Sequence, residues 1–123
     1  MLRRFGDPRV PASREARREI ERLFALCRRN RVPFGVVLFP DLVAQRTADD
    51  RLGFLMDRVL ATCHTQEVPC LDLRPIFAPH VSGRDLWVNR LDAHPGAKAQ
   101  RLAAAAIFDA FAADFEVGAR PSP

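Results

Sequence analysis

A chain of 123 residues, 48% hydrophobic and carrying a net charge of +4, fits one domain with a modest core. No apolar run approaches the roughly 18 residues of a membrane span, so no span is expected. Arg3 and Arg4 have no apolar run behind them, so no signal peptide is expected and the chain reads as cytoplasmic by default.

The charge is uneven. Residues 1–31 hold ten arginines against four acids, and the remainder is slightly acidic. A basic N-terminal segment can bind nucleic acid. Here the acids interleave with the arginines as Arg17–Glu21, Glu15–Arg18 and Glu19–Arg22, the spacing of ion pairs on a solvated helix. No aromatic residues alternate with the arginines, and no glycine-rich phosphate loop is present. A nucleic-acid partner is not expected. Cys27, Cys63 and Cys70 are odd in number and lack C-x-x-C spacing, which argues against zinc and a disulfide framework and for small buried hydrophobes. No metal or cofactor is implied.

In chain order, residues 1–12 carry Pro8 and Pro11 and read as a loop. Ser13 can N-cap a helix with Glu15 in its first turn. Ala16, Ile20, Leu23, Phe24 and Cys27 then form one apolar stripe, ending near Asn30 before Pro33. Residues 33–40 are a short apolar run bounded by prolines, the pattern of a parallel strand covered on both faces. Residues 41–46 read as a loop. Thr47 caps the next helix, with Asp49 and Asp50 in its first turn and Leu52, Leu55, Met56, Val59 and Cys63 on its buried side.

Residues 68–73 are a second short strand, and residues 75–79 a helical turn. Residues 81–91 are irregular. Asp92-Ala93-His94-Pro95 follows, with Pro95 suited to the first position of a third helix. Leu102, Ala105, Ala106, Ile107, Ala110 and Phe111 form that helix's face, and residues 116–123 a tail. Helix–strand–helix–strand–helix implies a parallel α/β arrangement with helices on both faces. Two strands make a small sheet for a pattern buried on both sides. Further strands are expected from another chain or from a longer form of this one.

Asp92 and His94 are a candidate acid–base pair. In a loop, residues i and i+2 can point the same way, so the carboxylate can orient the imidazole. The alternative is that Asp92 caps the helix and His94 lies on the surface. Ser82 reads as a turn serine or a substitute nucleophile, His64 as a helix-end residue or the partner of Cys63, and His80 as a loop residue. Asp41 and Asp72 end the two strands and read as loop caps or cleft residues.

Taken together, Asp92-Ala93-His94-Pro95 with the alanine-rich stretch behind it, residues 68–77 and the strand at residues 34–40 resemble the later part of the SGNH, or GDSL-type, hydrolase family. The likeness covers about residues 15–112. It implies that residues 13–115 are the C-terminal portion of a three-layer, flavodoxin-like α/β domain. It also implies that Asp92 and His94 are the acid and base of a serine ester hydrolase or acyl-transfer site. The implied substrate is an ester-containing small molecule, a lipid or an acylated carbohydrate. The chain departs from the family pattern at Gly96, usually Asn, at Ala99, usually Gly, and at Gln100, usually His. The nucleophile of the family lies in a Gly-Asp-Ser block. Ser13, Ser82 and Ser122 have no Gly-Asp before them, and Gly6-Asp7 is followed by Pro8. The resemblance therefore implies half of an esterase site and leaves the chain's own activity open. The alternative is a non-catalytic α/β remnant or partner-binding module.

Overall fold

The computed structural model describes residues 11–47, 53–81 and 84–113. The chain is mixed α/β, mostly helical, with two small sheets. α1 (Pro11–Arg29) leads to β1 (Val36–Leu38). α2 (Leu42–Thr47) and α3 (Gly53–Thr65) follow, then β2 (Cys70–Asp72) and the short α4 (Arg74–Phe77), which continues as a 3-10 turn at Ala78–His80. The hairpin strands β3 (Trp87–Asn89) and β4 (Asp92–Pro95) precede α5 (Ala97–Phe111).

β1 and β2 pair in parallel, with Val36 opposite Cys70, Val37 opposite Leu71 and Leu38 opposite Asp72. Their side chains alternate between two apolar clusters, as the period of two requires. Val36 and Cys70 pack with Phe24, Cys63 and Val68, which belong to α1, α3 and the approach to β2. Val37 and Leu71 pack on the other side with Leu42, Leu73, Phe77, Leu86, Ala99 and Ala103. Both faces of the parallel pair are thus covered, which explains why the first strand reads as an apolar run. Phe77 and Leu73 are fully buried. Removing side chains of this size from water is worth about 1.5–3 kcal/mol each. The Phe39 ring leans on Phe77 with centroids 5.1 Å apart, so the end of β1 is tied to this cluster.

α1 and α3 end in the same way. Arg31 and Glu67 take positive φ values of 55° and 52°. The Val32 and Val68 N–H groups donate back to the carbonyls of Cys27 and Cys63 at 2.9 and 2.8 Å. These are left-handed C-terminal caps that turn each helix into its strand. On the surface of α1, Arg17–Glu21 and Arg22–Glu19 pair at 2.8 and 2.5 Å, while Glu15 and Arg18 do not pair.

Several local expectations are corrected. α1 begins at Pro11, so Ser13 lies inside the helix and does not cap it. Proline suits a first helical position because its missing N–H is not needed there. Residues 42–47 are a helix, not a loop. Asp41 Oδ1 accepts the Val43 and Ala44 N–H groups at 2.8 and 3.0 Å, an N-cap that a six-residue helix too short for periodicity conceals. The stretch read as irregular contains β3, and Pro95 ends β4 instead of opening α5. Gly96 is the extended N-cap of α5. Residues 1–10 of the expected N-terminal loop, Asp49, Asp50 and Leu52 of the expected second-helix start, and the tail at residues 116–123 lie outside the described residues.

Candidate active site

The site is built on the β3–β4 hairpin. Asn89 turns it: its Oδ1 accepts the N–H groups of Leu91 and Asp92 at 2.8 and 3.0 Å. Asparagine commonly closes a turn in this way, with the side chain imitating a backbone carbonyl. β4 then returns antiparallel to β3, with Asn89 opposite Asp92, Trp87 opposite Pro95 and a register shift between them. Pro95 has no N–H to offer, and a proline at a strand end is tolerated for that reason. Next along the chain, the Gly96 N–H donates to the Leu86 carbonyl at 2.8 Å. A Cβ at Gly96 would stand against the Trp87 carbonyl oxygen and 2.8 Å from its carbon, so only glycine fits between the hairpin and α5.

This frame brings the expected pair together. Asp92 Oδ1 accepts the His94 N–H at 3.0 Å and meets the His94 ring Nδ1 at 2.5 Å. An ionised carboxylate only accepts, so Nδ1 carries the proton of that bond and Nε2 is left as the proton acceptor. The Asp92 carboxyl is held below its ordinary value, first by the backbone N–H of His94 and then by its ring. The pair is open to water, with 86% of the His94 side chain exposed.

Asp92, Ala93, His94 and Pro95 form one wall of a cleft of about 610 Å³. Phe39, Pro40, Asp41, Leu42 and Val43 form the other. The pair therefore faces the C-terminal end of β1, the end at which open α/β sheets bind ligands. Phe39, Leu42 and Val43 supply the apolar side of the cleft and Asp41 both lines it and caps α2. Sequence reasoning placed Asp41 near a cleft but gave no signal that α2 carries Leu42 and Val43 to the same wall. Among the described residues that line the cleft there is no serine, threonine or cysteine.

The remaining candidates lie apart. Asp72 accepts the Arg74 N–H at 2.9 Å and pairs with the Arg74 guanidinium, which also reaches Asp57 at 2.6 Å. Both carboxylates favour the charged guanidinium and hold it further up than usual. Asp72 is thus a loop cap and ion-pair partner. Cys63 is buried in the α1–α3 cluster, while the adjacent His64 is exposed at the end of α3. Burial, then a hydrogen bond with Cys63, pushes the Cys70 thiol up to about 12, so it stays protonated and is no nucleophile near neutrality. His80 sits in the 3-10 turn, half-buried. Ser13 lines a groove between α1 and α3, away from the cleft. Ser82 and Ser122 lie outside the described residues. Among the described residues no group of three or more His, Cys, Asp or Glu could hold a metal ion, and no helix is long and apolar enough to cross a membrane.

No protein-family model, curated protein or solved structure matches the chain.

Proposed function

We propose that this chain carries the acid–histidine half of an SGNH-type serine ester hydrolase or acyl-transfer site, within the later part of a flavodoxin-like domain. The observation that carries the reading is the two-point contact of Asp92 with His94, at Nδ1 and at the backbone N–H, on the wall of a cleft beside the end of β1. In this reading Nε2 of His94 takes the proton of an attacking hydroxyl. It then returns that proton to the leaving alcohol, while Asp92 holds the tautomer and stabilises the imidazolium. The substrate is an ester of a small molecule, a lipid or an acylated carbohydrate. The attacking serine and the oxyanion donors come from outside the described residues. A further parallel strand beside β1 would complete the sheet, since β2 is the only strand that pairs with β1 among the described residues. The groove along that edge is lined by Val37, Ile107, Phe108 and Phe111.

A second reading has one observation in its favour: among the described residues the cleft walls hold no hydroxyl or thiol. The chain would then be a non-catalytic α/β module whose Asp92–His94 contact only closes a hairpin. Hydrolysis of p-nitrophenyl acetate by the chain and by its His94→Ala variant separates the two. With the serine supplied from outside the described residues, the chain by itself offers only water or imidazole attack assisted by His94, so the catalytic reading predicts a weak rate that falls towards the background in the variant. Equal rates in the two proteins support the module.

A further inference from the structure

We propose that Arg46, Arg84 and Trp87 form an oxyanion-binding site for a carboxylate or phosphate group at the edge of the cleft. The guanidinium carbons of Arg46 and Arg84 each lie 5.4 Å from the centre of the Trp87 ring. Two cations centred on one ring stand at most twice that distance apart. That bound is about 10.8 Å, against a screening length of about 8 Å in physiological salt. The ring attracts each cation only weakly at an exposed site. An anion held between the two guanidiniums would satisfy both donor forks, whose planar geometry suits a carboxylate or phosphate in two-point contact.

No carboxylate among the described residues plays that part. Among the described residues neither arginine pairs with an acid, and Arg84 makes only a long 3.5 Å contact to the Arg90 carbonyl. Asp85, the acid beside Arg84, is engaged by Lys98. The nearby acids of the cleft are committed elsewhere, Asp41 to the start of α2 and Asp92 to His94.

The platform is held firmly. Trp87 pairs with Pro95, and the Gly96 backbone packs against the Trp87 carbonyl. Arg46 lies in α2 one turn beyond Leu42 and Val43, which line the cleft. Pro95 likewise lines the cleft and pairs with Trp87. A ligand that fills the cleft thus has an anion site within reach of its end. The site stands on its own observations and survives failure of the hydrolase reading. Should that reading hold, it makes an acidic ester the preferred substrate.

Trp87 is the only tryptophan and the chain has no tyrosine, so its emission reports the site alone. The test is titration of the full chain with inorganic phosphate and, separately, with succinate, replacing chloride at constant ionic strength. The expected result is a saturable change in Trp87 emission with at least one of the two. Affinity should weaken roughly tenfold or more in Arg46→Gln and in Arg84→Gln, as loss of a charge-assisted bond requires. The exposed Arg101→Gln, on α5, should leave it unchanged. Saturation by phosphate alone assigns a phosphorylated ligand, and by succinate alone a carboxylate. No saturable change with either anion overturns the site. Saturation that persists undiminished in both arginine variants does so as well.

Discussion

One oxygen of Asp92 serves two hydrogen atoms of His94: the backbone N–H at 3.0 Å and the ring Nδ1–H at 2.5 Å. The backbone contact shapes the hairpin, and the ring contact fixes which imidazole nitrogen is free to accept a proton. Because the backbone bond is the larger cause of the lowered Asp92 pKa, structure and site are partly separable.

This separation is measurable. His94→Ala removes the ring but keeps the N–H, so the Asp92 pKa should rise only part of the way back to its ordinary value. Carboxyl carbon NMR of the two proteins across acid pH checks it. The sign follows from the depressed pKa. The contact stabilises the folded hairpin above the unfolded-state pKa of Asp92, and the effect fades as pH falls through the lower folded value. Full recovery in the variant would mean that the backbone bond does little.

Gly96 is required by space and not by its backbone angles, which are φ −79° and ψ −178°. Gly96→Ala should therefore destabilise the chain by about 1–3 kcal/mol, the usual range for overpacking, and disturb Trp87 emission as the hairpin moves off α5. Urea denaturation with fluorescence detection measures both. Any side chain at this place, asparagine included, would meet the same obstacle.

Arg31 and Glu67 hold left-handed conformations that cost an ordinary residue on the order of 1–2 kcal/mol. Arg31→Gly and Glu67→Gly should each stabilise the fold by roughly 0.5 kcal/mol or more, the gain being trimmed by the greater freedom of glycine in the unfolded chain. Thermal melting reads the shift, and a fall in the melting temperature would contradict the strain.

The elements legible in the sequence are those whose environment imposes a period. α1, α3 and α5 each bury a stripe, and β1 is apolar throughout because both faces of its sheet are covered. The β3–β4 hairpin was illegible for the opposite reason. Its strands are three and four residues long, and Val88, Asn89 and His94 face water, so no alternation marks them. The signal that could have found it was Asn89, whose side chain closes the turn. The i, i+2 spacing of Asp92 and His94 allowed their contact, and the family resemblance singled the pair out. Their neighbours across the cleft were not legible, because Leu42 and Val43 reach it on a helix of six residues. The meeting of Arg46 and Arg84 on Trp87 depends on the packing of α2 beside the hairpin, which no local pattern encodes.

The central claim, that Asp92 acts through His94 as one catalytic unit, is tested most directly by a double-mutant cycle on p-nitrophenyl acetate hydrolysis with Asp92→Asn and His94→Ala. Groups that act as a unit are strongly non-additive. The account predicts that Asp92→Asn slows the reaction severalfold in the otherwise unchanged chain and has no further effect once His94 is alanine. An equal loss in both backgrounds, or no loss in either, would contradict it.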